Sequence, residues 1–260
     1  MTRGSWRAGP VLVLMALLVS ACSIQVLTAR TDDAGPSGPL ERTPAPAQES
    51  PPADGVTARR ALAALPVKGR APRSGYSRDA FGQSWRDLDR NGCDQRNDVL
   101  RRDLRDITLK AGTRGCLVLS GTLVSPYSGG TVEFTRGTTT SREVQVDHVV
   151  ALGDAWQKGA QQWSAERRER FANDFLELRA TDMHTNASKR DGDAATWLPP
   201  RRAFRCGYVA RQIAVKRAYG LWVTRAERDA MARVLADCPA QGLPRRYDVP
   251  LGGGPEVTAP

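Results

Sequence analysis

The sequence predicts a mixed α+β fold with more helix than strand, and three observations carry that prediction. Two β-rich runs, residues 115–124 (GCLVLSGTLV) and Thr131–Thr135, flank a Pro- and Gly-containing turn at 126–130, the pattern of an antiparallel hairpin. Residues 143–150 (EVQVDHVV) alternate Val144 and Val146 with polar neighbours, which makes a third strand. Apolar residues at helical spacing fill most of the remainder. In chain order, 94–104 sets Val99, Leu100 and Leu104 on one side of a short helix, and 152–170 carries one or two helices around Trp156 and Trp163. Leu176-Glu177-Leu178 is a short strand or turn. Residues 202–219 and 224–235 are helices, the second opened by a Thr224-x-x-Glu227 capping box.

The two ends of the 260-residue chain have a different composition. Residues 1–22 read as an export signal: Arg3 and Arg7 precede the short apolar run 11–19, and Ser20-Ala21-Cys22 resembles the lipobox of bacterial lipoproteins, whose cysteine becomes acylated. Residues 23–75, rich in Pro, Ala, Gly and Ser, read as a disordered tether with at most a transient helical turn at 61–65. The folded domain is then 76–250, and 251–260 is a loose tail. This organisation predicts a monomer outside the cytoplasm, secreted or held to the membrane through a lipid on Cys22 alone.

Using Cys22 as an anchor resolves the odd count of five cysteines. Cys93, Cys116, Cys206 and Cys238 remain, and in an exported chain they suit two disulfides. Three connectivities are possible. Sequential pairing, 93 with 116 and 206 with 238, is expected because each pair brackets one local unit. No C-x-x-C spacing supports a zinc site. The formal net charge is +10, and six of those charges lie in 76–260. Only five of the 38 cations are lysine, so the charge is guanidinium. Arg101-Arg102, Arg167-Arg168, Arg170 and Arg201-Arg202 suit a surface that tracks a phosphate backbone.

Histidine is scarce: His148 and His184 are the two present, which excludes any site built from three. Asp147 and His148 sit side by side near the end of the third strand, where successive side chains point to opposite faces. One can hold a cation while the other addresses water or substrate. Downstream, Asn186, Lys189 and Arg190 at i, i+3 and i+4 share one helix face. A carboxylate and an amide oxygen are hard ligands, suited to Mg²⁺, Mn²⁺ or Ca²⁺. With a neutral imidazole and a cation they suit phosphodiester hydrolysis. Two plainer readings stand beside this one: Asp147 and His148 as a polar pair closing a strand, and Asn186 as a helix N-cap. His184 reads as a surface residue, and Asp191 and Asp193 as turn residues around Gly192.

The motifs D-H-V-V (147–150), F-L-E-L-R-A (175–180) and N-A-S-K-R-D (186–191) resemble the HNH, or ββα-metal, endonucleases. The similarity is strongest to the HNH-like domain of GmrSD-type restriction enzymes and to secreted actinobacterial proteins of that kind. It extends from about Tyr76 to Cys238 through W-R-D-L-D-R-N-G-C-D-Q-R-N-D-V-L and A-T-W-L-P-P. The resemblance implies a ββα-metal core with a helical insertion and C-terminal helices. It also implies a metal-dependent endonuclease in which Asp147 and Asn186 hold one divalent cation, Mg²⁺ or Mn²⁺ with Ca²⁺ also suitable. His148 is then the general base, and Lys189 or Arg190 takes the cationic place near the phosphate. The substrate implied is nucleic acid, DNA ahead of RNA, cleaved to 5′-phosphate and 3′-hydroxyl ends. From a different class, the alternative is a non-catalytic cell-surface lipoprotein that binds nucleic acid or envelope polyanions. The chain departs from compact members in the spacing of 38 positions from His148 to Asn186.

One further motif, Asp87-x-Asp89-x-Asn91-Gly92 with Asp98 at the twelfth place, copies the first half of an EF-hand loop. The twelfth residue is Asp in place of Glu. The preferred reading is a loop of Asx turns capping the helix that begins near Asp94.

Overall fold

The computed structural model describes residues 56–244. The signal, Cys22, the tether as far as residue 55 and the tail 251–260 lie outside the described residues. A three-stranded antiparallel sheet is built from β1 (Arg105–Leu109), β2 (Val118–Val124) and β3 (Thr131–Thr135), in that order. The β2–β3 hairpin runs in register from Ser120 opposite Thr135 to Val124 opposite Thr131. Strand β1 is not legible in the sequence, because its Arg, Asp and Thr positions mask the alternation and Asp106 takes φ 50°. What admits β1 is Gly121. A side chain there would lie 3.1 Å from the Arg105 carbonyl oxygen and 3.0 Å from Ile107.

Helix α2 (Gln95–Asp103) is N-capped by Asp94, whose carboxylate accepts the Asn97 N–H at 2.8 Å. Its Val99 and Leu100 fill the space between this sheet (Val118, Leu123, Phe134) and a second, two-stranded one. That second sheet pairs β4 (Val144–His148) with β5 (Leu178–Asp182) and contributes Val144, Val146, Leu178 and Ala180 to the shared core. Between its strands the chain makes α3 (Leu152–Gln157) and α4 (Ala165–Ala172), which pack with Phe81, Trp156 and Tyr219 into a core of their own. Helix α5 (Met183–Lys189) follows β5 directly. The last two helices are α6 (Arg205–Tyr219), which feeds Ile213 into one core and Val215 into another, and α7 (Arg225–Ala236). Helix α7 starts with the Thr224–Glu227 capping box read from the sequence. Both disulfides follow the sequential pairing, Cys93 with Cys116 and Cys206 with Cys238.

One boundary is corrected. Residues 56–75, read as tether, belong to the packed body. Thr57 caps α1 (Ala58–Ala63), and Ala58, Ala61, Leu62 and Leu65 are buried against Val209, Ile213 and Leu235. The segment is short and flanked by prolines, so composition resembles a linker while its few apolar residues complete a core. Arg70 continues the attachment with ion pairs to Asp154 at 2.9 Å and Asp193 at 2.6 Å. These belong to a buried network in which Lys158 meets Asp154, Asp193 and Glu227, and Lys216 meets Asp154 and Glu227. Asp193 is the turn residue the sequence suggests, its Oδ1 accepting the Ala195 N–H at 3.0 Å, and its Oδ2 makes it a structural anion as well. Three cations face three anions there, so each buried charge has a partner.

Candidate active site

Strands β4 and β5 pair antiparallel from Val144 opposite Asp182 to His148 opposite Leu178, and α5 begins where β5 ends. Asp182 makes the transition. It caps α5 by accepting the Thr185 N–H at 2.8 Å, and its other oxygen accepts the hydroxyls of Ser125 at 2.6 Å and Ser128 at 2.8 Å. The N-cap is thus Asp182, and Asn186 lies inside the helix. The Asn186 Nδ2 donates to Gln145 Oε1 at 2.7 Å, which ties α5 to β4 and leaves the amide oxygen as its other end.

Asp147 and His148 diverge as neighbours on a strand must. Asp147 is buried, with Oδ1 accepting from Lys189 Nζ at 2.8 Å and Oδ2 from the Tyr127 hydroxyl at 2.8 Å. Burial pushes its carboxyl upward, and Lys189 and Tyr127 pull it back. On the other side, His148 sets Nε2 at 2.9 Å from the Ala172 carbonyl oxygen. The Trp85 ring lies nearly parallel to the imidazole, 15° away in plane and 6.5 Å between centroids. A carbonyl only accepts, so Nε2 carries the proton and Nδ1 keeps the lone pair. Burial, assisted by the charges of Arg78 and Lys189, pushes the imidazole pKa down to about 3. The ring is neutral at physiological pH.

A single open cleft is lined by Tyr76, Arg78, Asp147, His148, Asn186, Arg190 and Asp191. The structure therefore brings together four of the five residues singled out in the sequence. The fifth is placed differently. Helix α5 ends at Lys189, whose side chain is fully buried beneath the cleft, donating also to the His148 carbonyl oxygen at 2.5 Å. Arg190 turns out at φ 51° to the exposed rim. The two cations expected on one face are split by the helix end. Asp191 faces the cleft too, paired with Arg73 at 2.6 Å. His184 is exposed on the first turn of α5, as expected.

Sequence reasoning missed four supports. Tyr127 and Gln145 hold Asp147 and Asn186, Trp85 covers the imidazole, and Glu177 clamps the chain after His148. The Glu177 carbonyl accepts Val149 N–H at 2.9 Å and its carboxyl accepts Val150 N–H at 3.1 Å. Burial holds that carboxyl well above the usual range. Glu177 had a signal, an ionisable residue inside the apolar run F-L-E-L. The others had none, because their partners are 20 to 63 positions distant or set by loop paths.

The family model for the C-terminal domain of GmrSD restriction endonucleases matches residues 94–234, more than half of the chain. The chain belongs to this family. A relative from Arthroderma benhamiae, described as an uncharacterized secreted protein, is 36% identical over 199 residues, which span 75% of this chain and 92% of that one. No solved structure matches significantly. Within this GmrSD-type domain the match begins at Asp94, the cap of α2, and runs into α7, so β4, β5, α5 and the cleft residues Asp147, His148, Asn186, Arg190 and Asp191 lie inside it, while Tyr76 and Arg78 of the cleft wall precede it. Trp85 and the 56–65 segment lie outside it.

Proposed function

We propose that the chain is an extracytoplasmic, metal-dependent endonuclease of HNH type, with β4, β5 and α5 as its ββα-metal core. The observation that carries this is the cleft itself, which gathers Asp147, His148 and Asn186 and leaves His148 Nδ1 as the basic nitrogen of a neutral ring. The donor set fits a hard cation. Each Asp147 oxygen accepts one hydrogen bond and has a second lone pair, and the Asn186 amide oxygen is its remaining acceptor. Asp147 and Asn186 would hold one Mg²⁺ or Mn²⁺, with Ca²⁺ also compatible. When bound, that ion supplies charge neutralisation at the scissile phosphate.

The remaining work falls to side chains. His148 Nδ1 takes the proton from the attacking water, with Nε2 fixed on Ala172 so the ring cannot turn. Arg190 and Arg78, at the cleft wall, meet phosphate oxygens. Lys189 acts from below, holding Asp147 and the His148 carbonyl in place. Arginine-rich charge favours nucleic acid as substrate; DNA ahead of RNA follows from the resemblance to restriction enzymes, and a monomer is part of the proposal. Two disulfides and the secreted relative support action outside the cytoplasm; the role of Cys22 as lipid anchor rests on the Ser20-Ala21-Cys22 motif alone. Among the described residues no helix is long and apolar enough to cross a membrane.

The test is cleavage of supercoiled plasmid with Mg²⁺ or Mn²⁺. Wild type should nick it, EDTA should stop the reaction, and His148→Ala should slow it by about 10²–10⁴-fold at unchanged circular dichroism. Equal behaviour of wild type and His148→Ala would sink the reading and leave a non-catalytic polyanion binder.

A further inference from the structure

We propose that the loop from Asp87 to Asp98 binds a Ca²⁺ ion, at a site separate from the His148 cleft. The loop has the order of an EF-hand, with Asp87, Asp89 and Asn91 at places one, three and five, Gly92 at six and Asp98 at twelve. Its backbone follows suit. Gly92 N–H donates to Asp87 Oδ2 at 2.9 Å, Asn91 N–H to Asp89 Oδ1 at 3.4 Å, and Gly92 takes φ 88°.

The independent observation is Asp98. Its side chain sits on the first turns of α2, 1% exposed, and its Oδ1 has no hydrogen-bond partner. Its Oδ2 accepts from Asn91 Nδ2 at 3.1 Å, so the carboxyl is aimed into the loop. Asp87 Oδ1, also buried, has no partner either. Carboxylate oxygens removed from water without a donor are costly, and helix capping does not account for them because Asp94 is the cap. Among the described residues no three acidic, His or Cys side chains already converge on one point. Here the reason is visible: the Asn91 amide stands between Asp89 and Asp98 and donates to both. A cation answers the same carboxylates with a full charge where Nδ2 offers a partial one, and the amide shifts as the ion enters.

Oxygen-only donors select Ca²⁺ over zinc. Asp98 is one methylene shorter than the Glu usual at the twelfth place, so the expected Kd is that of extracellular modules, about 10⁻⁴–10⁻³ M. The consequence reaches the cleft. Trp85, whose carbonyl accepts the Gln95 N–H at 3.2 Å, leads into the loop and stacks on His148, while Cys93 ties the loop to Cys116. An ordered loop holds the indole over the imidazole.

The test uses the full chain, CaCl₂ as ligand and TbCl₃ as a luminescent probe excited through Trp85. Wild type and Asn186→Ala should both give tryptophan-sensitised terbium emission that Ca²⁺ displaces, and Tm should rise by about 3 °C at calcium tenfold above Kd. Asp98→Asn, or the more exposed Asp87→Asn if the first variant fails to fold, should lose the emission at least tenfold and lose the calcium shift. Because Asn186→Ala removes the cleft ligand, failure of the nuclease reading leaves this outcome unaffected. Emission and calcium shift retained at wild-type level in both aspartate variants would overturn the proposal. So would their absence from wild type up to about 10 mM calcium, tenfold above the weakest Kd expected.

Discussion

Lys189 Nζ stands 2.8 Å from Asp147 Oδ1, and neither side chain is exposed beyond 7%. The pair lies under the cleft, so the lysine that looks like a phosphate ligand in the sequence is a support for the carboxylate. Removing one member of a buried pair strands the other charge. Lys189→Met should cost about 3–5 kcal/mol in urea unfolding, with loss of activity following from lost structure. Arg190→Ala should leave the unfolding midpoint in place and raise KM for DNA. Similar effects of the two substitutions on stability would refute this division of labour.

Acid stability follows from His148. Its folded pKa, about 3, lies below the 6.5 of the unfolded chain, so the unfolded state takes up the proton first. The contribution to stability is complete above pH 6.5 and is lost as pH falls towards 3, at up to about 1.4 kcal/mol per pH unit. Chemical denaturation of the metal-free protein between pH 7 and 4 should show this slope. His148→Gln, whose amide can still donate to Ala172, should show a shallower one.

The segment read as tether carries core residues, and that is directly measurable. Leu62→Ala should destabilise by about 2–4 kcal/mol, the range for a buried leucine. A chain beginning at residue 76 loses Leu62, Leu65 and both Arg70 ion pairs, and should unfold at lower temperature than one beginning at residue 56. Equal melting of the two would show the segment to be dispensable.

The Cys206–Cys238 bridge joins the start of α6 to the residues after α7, with 32 positions between the cysteines. In the chain-entropy view that loop is worth about 3–4 kcal/mol. Replacing both cysteines with alanine should lower the thermal midpoint and leave nicking at permissive temperature intact, since the cleft is built from other elements.

Glu227 is capping residue and buried anion at once, meeting Lys158 at 2.6 Å and Lys216 at 3.0 Å. Glu227→Ala should cost about 3–5 kcal/mol, more than the roughly 1 kcal/mol of a lost cap. A cost near the lower figure, read from denaturant melts, would mean that solvent reaches those lysines.

Local patterns in the sequence reach far here. Asp94 at α2, the Thr224–Glu227 box, the 126–130 hairpin turn and the alternation Val144, Val146 each depend on residues within a few positions, and each appears in the fold. Strand β5 was less clear because Leu178 and Ala180 are buried on one face while Arg179 and Thr181 interrupt any apolar run. The charged interior was not legible at all. Three of the five lysines, Lys158, Lys189 and Lys216, are fully buried, and no short window distinguishes them from surface lysines. Their partners lie 35 to 69 positions away for Lys158 with Asp193 and Glu227, and 42 for Lys189 with Asp147.

The sequence alone determined which groups are available for chemistry. With two histidines, one beside an aspartate at a strand end, and an Asn-x-x-Lys-Arg helix downstream, the candidate base and ligands were set by residue type and local spacing. Tertiary structure decided what each of them faces. Strand alternation sends Asp147 and His148 apart, but only packing brings Lys189 and Tyr127 to the one and Ala172 and Trp85 to the other. Only the end of α5 separates buried Lys189 from exposed Arg190. The physical reason is that protonation state and access depend on burial and on charges from remote segments, which a linear pattern does not encode.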